Sequence, residues 1–326
     1  MQGSVVKENQ PETQEVVCSS CGAGDAELMW IARDIAFGGP GEFLVVRCRH
    51  CGLIYLRVRP TPQSMVRYYP PEYSPYRPAI QDESFFLMRW MRRRKVQKRR
   101  QIVERASDCV PGRILDVGCS TGIFLDAMRR SGWETYGVEI NTTAAQYARQ
   151  RFGLKVFVGQ LTDAHLPSDS FDVMTFWDVL EHTFDPLESL HEANRLLIKG
   201  GVIGITLPNW DSLDRMIFGH EWIGYDVPRH LHVFTPLVLQ KLLERTGFCL
   251  TGAWCDLGGY FTFAASARLW ANVHVRMSWL RQAIVKAIGL HGVRFLFEPF
   301  FYLCDRLGRG GTLVVVARKV EASRRT

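Results

Sequence analysis

No run of 18 apolar residues occurs anywhere in this 326-residue chain, so a membrane-crossing helix is not expected. The nearest candidates, around 257–275 and 290–304, are broken by Arg268 in the first and by Arg294, Glu298 and Pro299 in the second. The first 17 residues are polar and lack the apolar core of an export signal. The expectation is therefore a cytoplasmic chain in a reducing compartment, whose nine cysteines are not read as disulfides. Net positive charge is also missing from most of the sequence. The formal net charge is +7, but residues 89–105 alone hold nine Lys and Arg against Glu104, leaving −1 for everything else. A near-neutral body with one basic element differs from a nucleic-acid binder that is basic throughout, and nucleic acid is not the expected partner. With 47% hydrophobic and 22% charged residues, the composition excludes a disordered chain and a small disulfide scaffold.

Four of the cysteines call for their own explanation. Cys18-Ser-Ser-Cys21-Gly22 and Cys48-Arg-His-Cys51-Gly52 repeat one pattern, with 26 residues between the pairs. Each pair sets two thiols on one side of a tight loop, and the glycine that follows can adopt the backbone conformation that closes it. Two such loops supply the four sulfurs of a tetrahedral zinc site, and the intervening stretch 42–47 reads as strand. Cys18, Cys21, Cys48 and Cys51 are thus expected to hold a structural zinc, because no ligand position is left for water. His50 is expected to be solvated.

From residue 113 the pattern changes. Arg113-Ile-Leu-Asp-Val-Gly-Cys-Ser-Thr-Gly122 runs from a strand through a glycine-rich turn into a helix, a turn that lets backbone approach a ligand at the helix N-terminus. A second strand, Thr135–Ile140, carries Glu139 near its end, 23 residues after Asp116. An acid placed there can accept from ribose hydroxyls. Asn141 caps a helix to about Phe152, and strands follow at Lys155–Gly159 and Phe171–Val179. Leu196–Gly201 reads as a helix end with a glycine stop, followed by strand Val202–Leu207. Thr235-Pro236 opens the helix Leu237–Thr246, and strands 249–255 and Thr312–Arg318 complete the pattern. Strands alternating with helices predict a parallel, doubly wound α/β sheet with its ligand at the strands' carboxyl ends.

Residues 113–319 resemble the class I S-adenosylmethionine (SAM)-dependent methyltransferases. The resemblance rests on Asp116-Val-Gly-Cys-Ser-Thr-Gly122, Glu139, Gly159-Gln-Leu161, Phe171-Asp172, Trp177-Asp-Val-Leu-Glu-His182 and Leu197-Ile-Lys-Gly-Gly201. It implies a Rossmann-like seven-stranded sheet with a reversed last hairpin. It also implies that Asp116, Gly118, Cys119, Ser120 and Gly122 lie against the methionine part of SAM. Glu139 would hold the ribose, Gly159, Gln160 and Leu161 would border the adenine, and Phe176, Trp177 and Asp178 would line the pocket floor. Two positions depart from the family pattern. Ser120 replaces the middle glycine, a change that ordinary backbone angles would tolerate, and Gln160 stands where an acid is common. The run Cys48–Tyr55, Arg59-Pro-Thr-Pro62, Tyr68-Tyr69 and Tyr73 is similar to bacterial members that carry a zinc ribbon ahead of the catalytic domain. Many of these act on small molecules, sugars or lipid precursors.

The resulting organisation is a flexible tail (1–17), a zinc ribbon (18–60), a linker with the basic helix (61–108) and the methyltransferase domain (109–326), with an apolar helical insertion at 257–310. His182, after the fourth strand, is the candidate general base because its intrinsic pKa lies near neutrality. Asp178 would position the acceptor or the cofactor's amine. Residues 208–232 form a long aromatic-rich segment in which His230 and His232 are read as sharing a strand face; they could bind a metal or a substrate there, but structural packing of the turn into the next helix is the preferred reading. No Asn/Asp-Pro-Pro-Tyr/Phe motif follows the fourth strand, where Trp177-Asp-Val-Leu stands instead, and no Pro-Cys nucleophile follows it either. Those absences disfavour methylation of nucleic-acid bases at amino groups or at cytosine C5. The expected function is methylation, foremost of an oxygen, on a small molecule, sugar or lipid-linked precursor. The basic helix reads first as a packed apolar start with a solvated basic remainder and the insertion as a lid packed on its own domain, with peripheral membrane contact through both as the sharper alternative. RNA methylation and a non-catalytic cofactor-binding module are the alternatives.

Overall fold

Side chains in an extended strand alternate between opposite faces, and this alternation sorts the protein's core into two layers. The computed structural model describes residues 11–70, 86–256 and 259–320. Of the expectations above, the first ten residues of the tail, Tyr73 and the start of the insertion at 257–258 lie outside the described residues. The chain begins with five short strands, β1 (Thr13–Glu15), β2 (Ala26–Ala32), β3 (Phe43–Cys48), β4 (Ile54–Leu56) and β5 (Val58–Pro60). Helices α1 (Pro62–Met65) and α2 (Phe86–Ala106) follow. The alternating part contains β6 (Arg113–Val117), α3 (Ile123–Arg130), β7 (Glu134–Glu139), α4 (Thr142–Phe152), β8 (Lys155–Val158), β9 (Phe171–Trp177), α5 (Pro186–Leu196) and β10 (Leu197–Pro208). Then come α6 (Leu213–Phe218), β11 (His232–Val233), α7 (Pro236–Arg245) and β12 (Phe248–Cys255). The insertion supplies α8 (Gly259–His274), α9 (Ser278–Gly289) and α10 (His291–Arg306) before β13 (Thr312–Lys319).

The main sheet has seven strands in the order β12-β13-β10-β9-β6-β7-β8. β13 runs antiparallel to both of its neighbours, and the other pairings are parallel. Leu115, Met174, Phe176, Ile205 and Val315 face one apolar layer, packed with residues of α5 and α7. Ile114, Val173, Trp177, Val202 and Val316 face the other, with residues of α2, α3 and α4. The caps follow the local sequence. Asn141 accepts from the Ala144 N–H at the start of α4, and Thr235 accepts from the Val238 N–H ahead of Pro236 in α7.

The cysteine-bearing segment does not stand apart. β11, from residues 232–233, adds to β4 and makes a four-stranded sheet β11-β4-β3-β2. Cys18, Val46, Cys48, Leu53 and Tyr55 share one apolar cluster with Phe234, Val238 and Leu239. Ribbon and catalytic sheet are therefore packed through a common core.

Two readings of local structure need correction. Leu197 is already strand, paired with Phe171, and Gly200 (φ +74°) forms an irregularity before the register resumes at Val202. The parallel neighbour β9 captures the chain one residue after the helix ends, so the glycines make a bulge rather than a helix stop. The fourth parallel-sheet strand ends at Trp177 rather than Val179, because Asp178 turns into the left-handed region (φ +60°) and leaves the sheet.

Candidate active site and four-cysteine centre

The turn after β6 is shaped by close packing. Gly118 has φ +69°, and a Cβ there would sit 2.5 Å from Val179 Cγ2. Gly122 has φ +76°, and a Cβ would sit 2.5 Å from Leu154 Cδ1 and 2.9 Å from Ala148 Cβ. Ser120 does not meet the condition of ordinary backbone angles. Its φ is +50°, a conformation that costs a residue with a Cβ about 1–2 kcal/mol. Its N–H donates to Glu139 Oε2 at 2.7 Å, which offsets that cost. Glu139 Oε1 accepts from the Asn141 N–H at 2.7 Å. Burial raises the pKa of Glu139 despite these donors. Asp116 is buried, accepts from Thr175 Oγ1 at 2.6 Å, and is pushed up to about 7 by desolvation.

The other residues expected at the cofactor separate by direction. The Cys119 thiol is buried where a Cβ on Gly137 would meet it at 2.6 Å, so its side chain fills space beside β7. Leu161 is buried in the main core, while the Gln160 side chain is exposed and its N–H donates to Asp163 Oδ2 at 3.3 Å. Gly159 (φ +148°) donates its N–H to the Glu139 carbonyl. Trp177 packs edge-on to Phe124, with the Arg99 guanidinium 5.2 Å from its ring centre. Phe176 points to the opposite layer.

Two walls face each other beyond β9. One is α2. Arg99 Nη2 donates to Asp178 Oδ2 at 2.6 Å, Lys95 Nζ approaches the same oxygen at 3.4 Å, and Thr206 Oγ1 donates to Oδ1 at 2.9 Å. Desolvation would raise Asp178, but Lys95 and Arg99 override it and hold its carboxyl far below the usual range. Further along α2, Lys98 pairs with Asp256, Arg100 with Glu104 and Ser131, and Arg94 lies 4.0 Å from Glu298. Much of the basic helix is thus engaged with groups of its own chain.

The other wall comes from the ribbon and the 208–232 segment and is more enclosed, with Glu181, Arg229 and His232 buried and His182 and His230 half-buried. His182 Nδ1 donates to the Arg229 carbonyl at 2.9 Å, with Tyr69 Oη 3.2 Å away. His230 Nδ1 donates to the Gly224 carbonyl at 2.8 Å, and the two imidazoles meet edge to face at 4.6 Å. Both tautomers therefore leave Nε2 as the free lone pair. Burial, reinforced by the neighbouring His230, lowers His182 to about 3, well below the near-neutral value on which its choice as base rests, and burial also lowers His230. Glu181 is buried with Oε2 unpartnered among the described residues, and burial together with Asp178 raises its pKa well above the usual range. Ligand atoms of Glu181, His182 and His230 lie within 4.8 Å of one another.

The structure separates His230 from His232. Only residues 232–233 are strand, so the expected shared face does not exist, and His232 Nε2 instead lies 2.9 Å from Ser19 Oγ in the ribbon.

Sequence reasoning gave no part to Arg229, which is fully buried. It forms a fork with Asp34 (2.8 and 2.9 Å), a second with Asp226 (2.7 and 3.0 Å), and donates to the Tyr68 carbonyl. The available signal was an Asp–Arg pair three residues apart inside an aromatic-rich segment.

At the cysteine turns, Gly22 and Gly52 have φ +74° and +81°, and their N–H groups donate to the Cys18 and Cys48 carbonyls. Cys18 Sγ lies 3.4 Å from Cys51 Sγ, and Cys21 Sγ lies 3.5 Å from Cys48 Sγ. All four sulfurs fall within 4.8 Å of one another. A tetrahedron with metal–sulfur bonds of about 2.3 Å separates its sulfurs by about 3.8 Å, so the thiols are spaced as that donor set requires. His50 is exposed.

A parallel sheet with one antiparallel strand next to its edge, and a tight glycine turn beneath a strand-end acid, is the build of a class I SAM-dependent methyltransferase, and this chain is one. Residues 89–251 match the family described as methyltransferase domain, and the chain belongs to that family, which implies SAM as the methyl donor. A ubiquinone biosynthesis O-methyltransferase from Actinobacillus pleuropneumoniae serotype 5b (strain L20) is 27% identical over 201 residues, covering 55% of this chain and 82% of that protein. Another from Alkalilimnicola ehrlichii is 33% identical over 141 residues, covering 41% of this chain and 57% of that protein. A solved SAM-dependent methyltransferase from Archaeoglobus fulgidus has a TM-score of 0.47 at 21% identity, over 70% of this chain and 94% of its own.

Proposed function

We propose that the chain transfers the SAM methyl group to an oxygen of a small-molecule acceptor, of the lipid-linked kind, with His182 as the proton acceptor. The observation that carries the assignment is the Arg229 carbonyl holding His182 Nδ1–H, which leaves Nε2 as the lone pair. Curated relatives named as O-methyltransferases of ubiquinone biosynthesis support the choice of acceptor atom and class.

The residues present fit the cofactor. The packed glycines leave no side chain at 118 or 122, and Glu139 ends β7 with both oxygens taking backbone donors beside that turn. In this reading the backbone of Gly118, Cys119, Ser120 and Gly122, with Asp116 beneath it, borders the methionine part. Glu139 holds the ribose, Gly159 and Gln160 edge the adenine, and Leu161 and Trp177 support the pocket from the core. When bound, SAM supplies an electrophilic methyl group on a sulfonium. An acceptor oxygen gaining that methyl would become strongly acidic, so even a weak base would take its proton, and at pH 7 His182 is the neutral imidazole with Nε2 unprotonated. Asp178 serves as a positioning residue, tying α2 across the site through Arg99 and Lys95. Cys18, Cys21, Cys48 and Cys51 hold a structural zinc that keeps the ribbon wall in shape. The same reading puts the chain in the cytoplasm, in peripheral contact with the membrane that contains the acceptor.

The test is turnover with methyl-labelled SAM and a lipid extract. Label is expected in an ether-linked methyl group, and His182→Ala should lower kcat by about 10²–10⁴ while SAM affinity stays within about twofold. Full turnover in His182→Ala removes the base assignment, and label on nitrogen or carbon removes the oxygen. Metal analysis of the same preparation should find close to one zinc per chain; less than about half counts against the centre.

A further inference from the structure

The insertion before β13 breaks the usual rule for a surface helix, which turns polar residues outward. On α10, Leu296, Phe300, Leu303 and Leu307 stand at i, i+4, i+7 and i+11 and form one stripe. They are 76%, 45%, 54% and 66% exposed. Phe295 and Tyr302 flank the stripe and are also exposed. The opposite side of the helix is the one that packs, with Phe301 and Cys304 buried against the domain. On α9 no residue is buried, and its outward side carries exposed Trp279, Lys286 and, just past its end, Leu290. The last turn of α8 presents Val273 to solvent, and the turn between α8 and α9 presents Arg276 and Met277. Glu298 of α10 lies 4.0 Å from Arg94 of α2, which places the exposed Phe86, Trp90 and Arg93 of that helix alongside.

Charge decides what covers this face. Residues 259–309 hold seven Lys and Arg against two acids, Glu298 and Asp305. Glu298 lies 3.7 Å from Arg294 as well as facing Arg94, and Asp305 is half-buried, so neither acid stands free on the outward side. Arg268, Arg276, Lys286 and Arg306 are all exposed. A second copy of the same face in a two-fold contact would bring cation against cation. Apolar and aromatic residues rimmed by cations instead suit a surface with an oily interior and anionic headgroups. Among the described residues no helix is long and apolar enough to cross a membrane.

We propose that the outward face of α9 and α10, with the first turns of α2, is a docking surface for an anionic lipid bilayer. The stripe Leu296–Leu307 enters the headgroup region, and Arg276, Lys286, Arg306 and Arg93 sit among the phosphates. The inference rests on the reading above only for the membrane contact, not for the acceptor or its chemistry. Because α2 also forms one wall of the active site through Lys95 and Arg99, docking this face brings that wall to the bilayer.

The test is flotation of the full chain with vesicles of phosphatidylcholine alone or with 3:7 phosphatidylglycerol, an order-of-magnitude choice of roughly one anionic lipid in three, followed by the Leu296→Glu/Leu303→Glu variant. Binding is expected to be about tenfold or more tighter on the anionic vesicles, to weaken as salt rises, and to fall about tenfold or more in the variant. SAM affinity of the variant should match the parent, which shows that it is folded. Absence of binding to anionic vesicles at low salt overturns the proposal, as does undiminished binding by the folded variant. A parent dimer that the variant converts to monomer, with no vesicle binding, assigns the face to a second copy instead. Vesicle binding is read without turnover, so failure here and failure of the methylation assay are separate results.

Discussion

The two walls beyond β9 handle ionisable groups in opposite ways. On the α2 side, Asp178 keeps its charge because Lys95 and Arg99 reach it, and that contact is partly open to solvent. On the ribbon side, desolvation keeps the buried His232 and the half-buried His182 and His230 neutral, while Arg229 stays charged through the two carboxylates beside it. A charge near water is cheap to keep and cheap to lose. A charge in a dry interior is held by its partners, and removing one leaves the others stranded. The α2 wall should therefore be tolerant of substitution, and the ribbon wall should not.

The largest expected effect follows from Arg229→Met, which strands Asp34 and Asp226 without a cation. Urea unfolding should show a loss of about 3–5 kcal/mol; a loss below about 1 kcal/mol would mean that this wall is not enclosed and would erase the contrast. An intermediate effect concerns pH. His232 is buried, and desolvation, with Arg59 nearby, lowers it to about 3, against about 6.5 in an unfolded chain. Between those values the unfolded state binds the extra proton, so the neutral histidine's contribution is complete above about 6.5 and declines as pH falls toward about 3. Each such group contributes a slope of about 1.4 kcal/mol per pH unit, and His232→Gln should remove one group's share between pH 6 and 5. An unchanged slope would show that His232 titrates normally. The smallest effect belongs to Lys95→Met. Arg99 still holds Asp178, and Lys95 is about half exposed, so denaturant midpoints should move by less than about 1 kcal/mol.

The parts legible in the sequence are those governed by neighbours in the chain. The Cys-x-x-Cys-Gly turns, the glycine turn after β6, Asn141 and Thr235 as caps, and the order of strands follow from spacing and alternation over ten or fewer residues. The left-handed backbone of Ser120 was not legible because it is held by a carboxylate 19 residues away. His230 and His232 were misjudged because the strand that would have aligned them is only two residues long, which the pairing of β11 with β4 decides. His182 was found from its place after the fourth strand, but its tautomer depends on a carbonyl 47 residues later.

By itself the sequence determined a doubly wound α/β sheet, a four-cysteine pattern and a single basic element on a near-neutral body, because each is a matter of local periodicity, residue type and count, while the methyltransferase class came from resemblance of its motifs to a known family. Tertiary structure alone decided what the basic element faces. Lys95 and Arg99 meet an acid about 80 residues downstream, the ribbon's Asp34 meets Arg229 195 residues away, and the stripe on α10 is exposed among the described residues. Those contacts depend on which surfaces the folded sheet brings together. Charge and apolarity are written in the chain, but whether they are neutralised, buried or exposed is a property of three-dimensional packing.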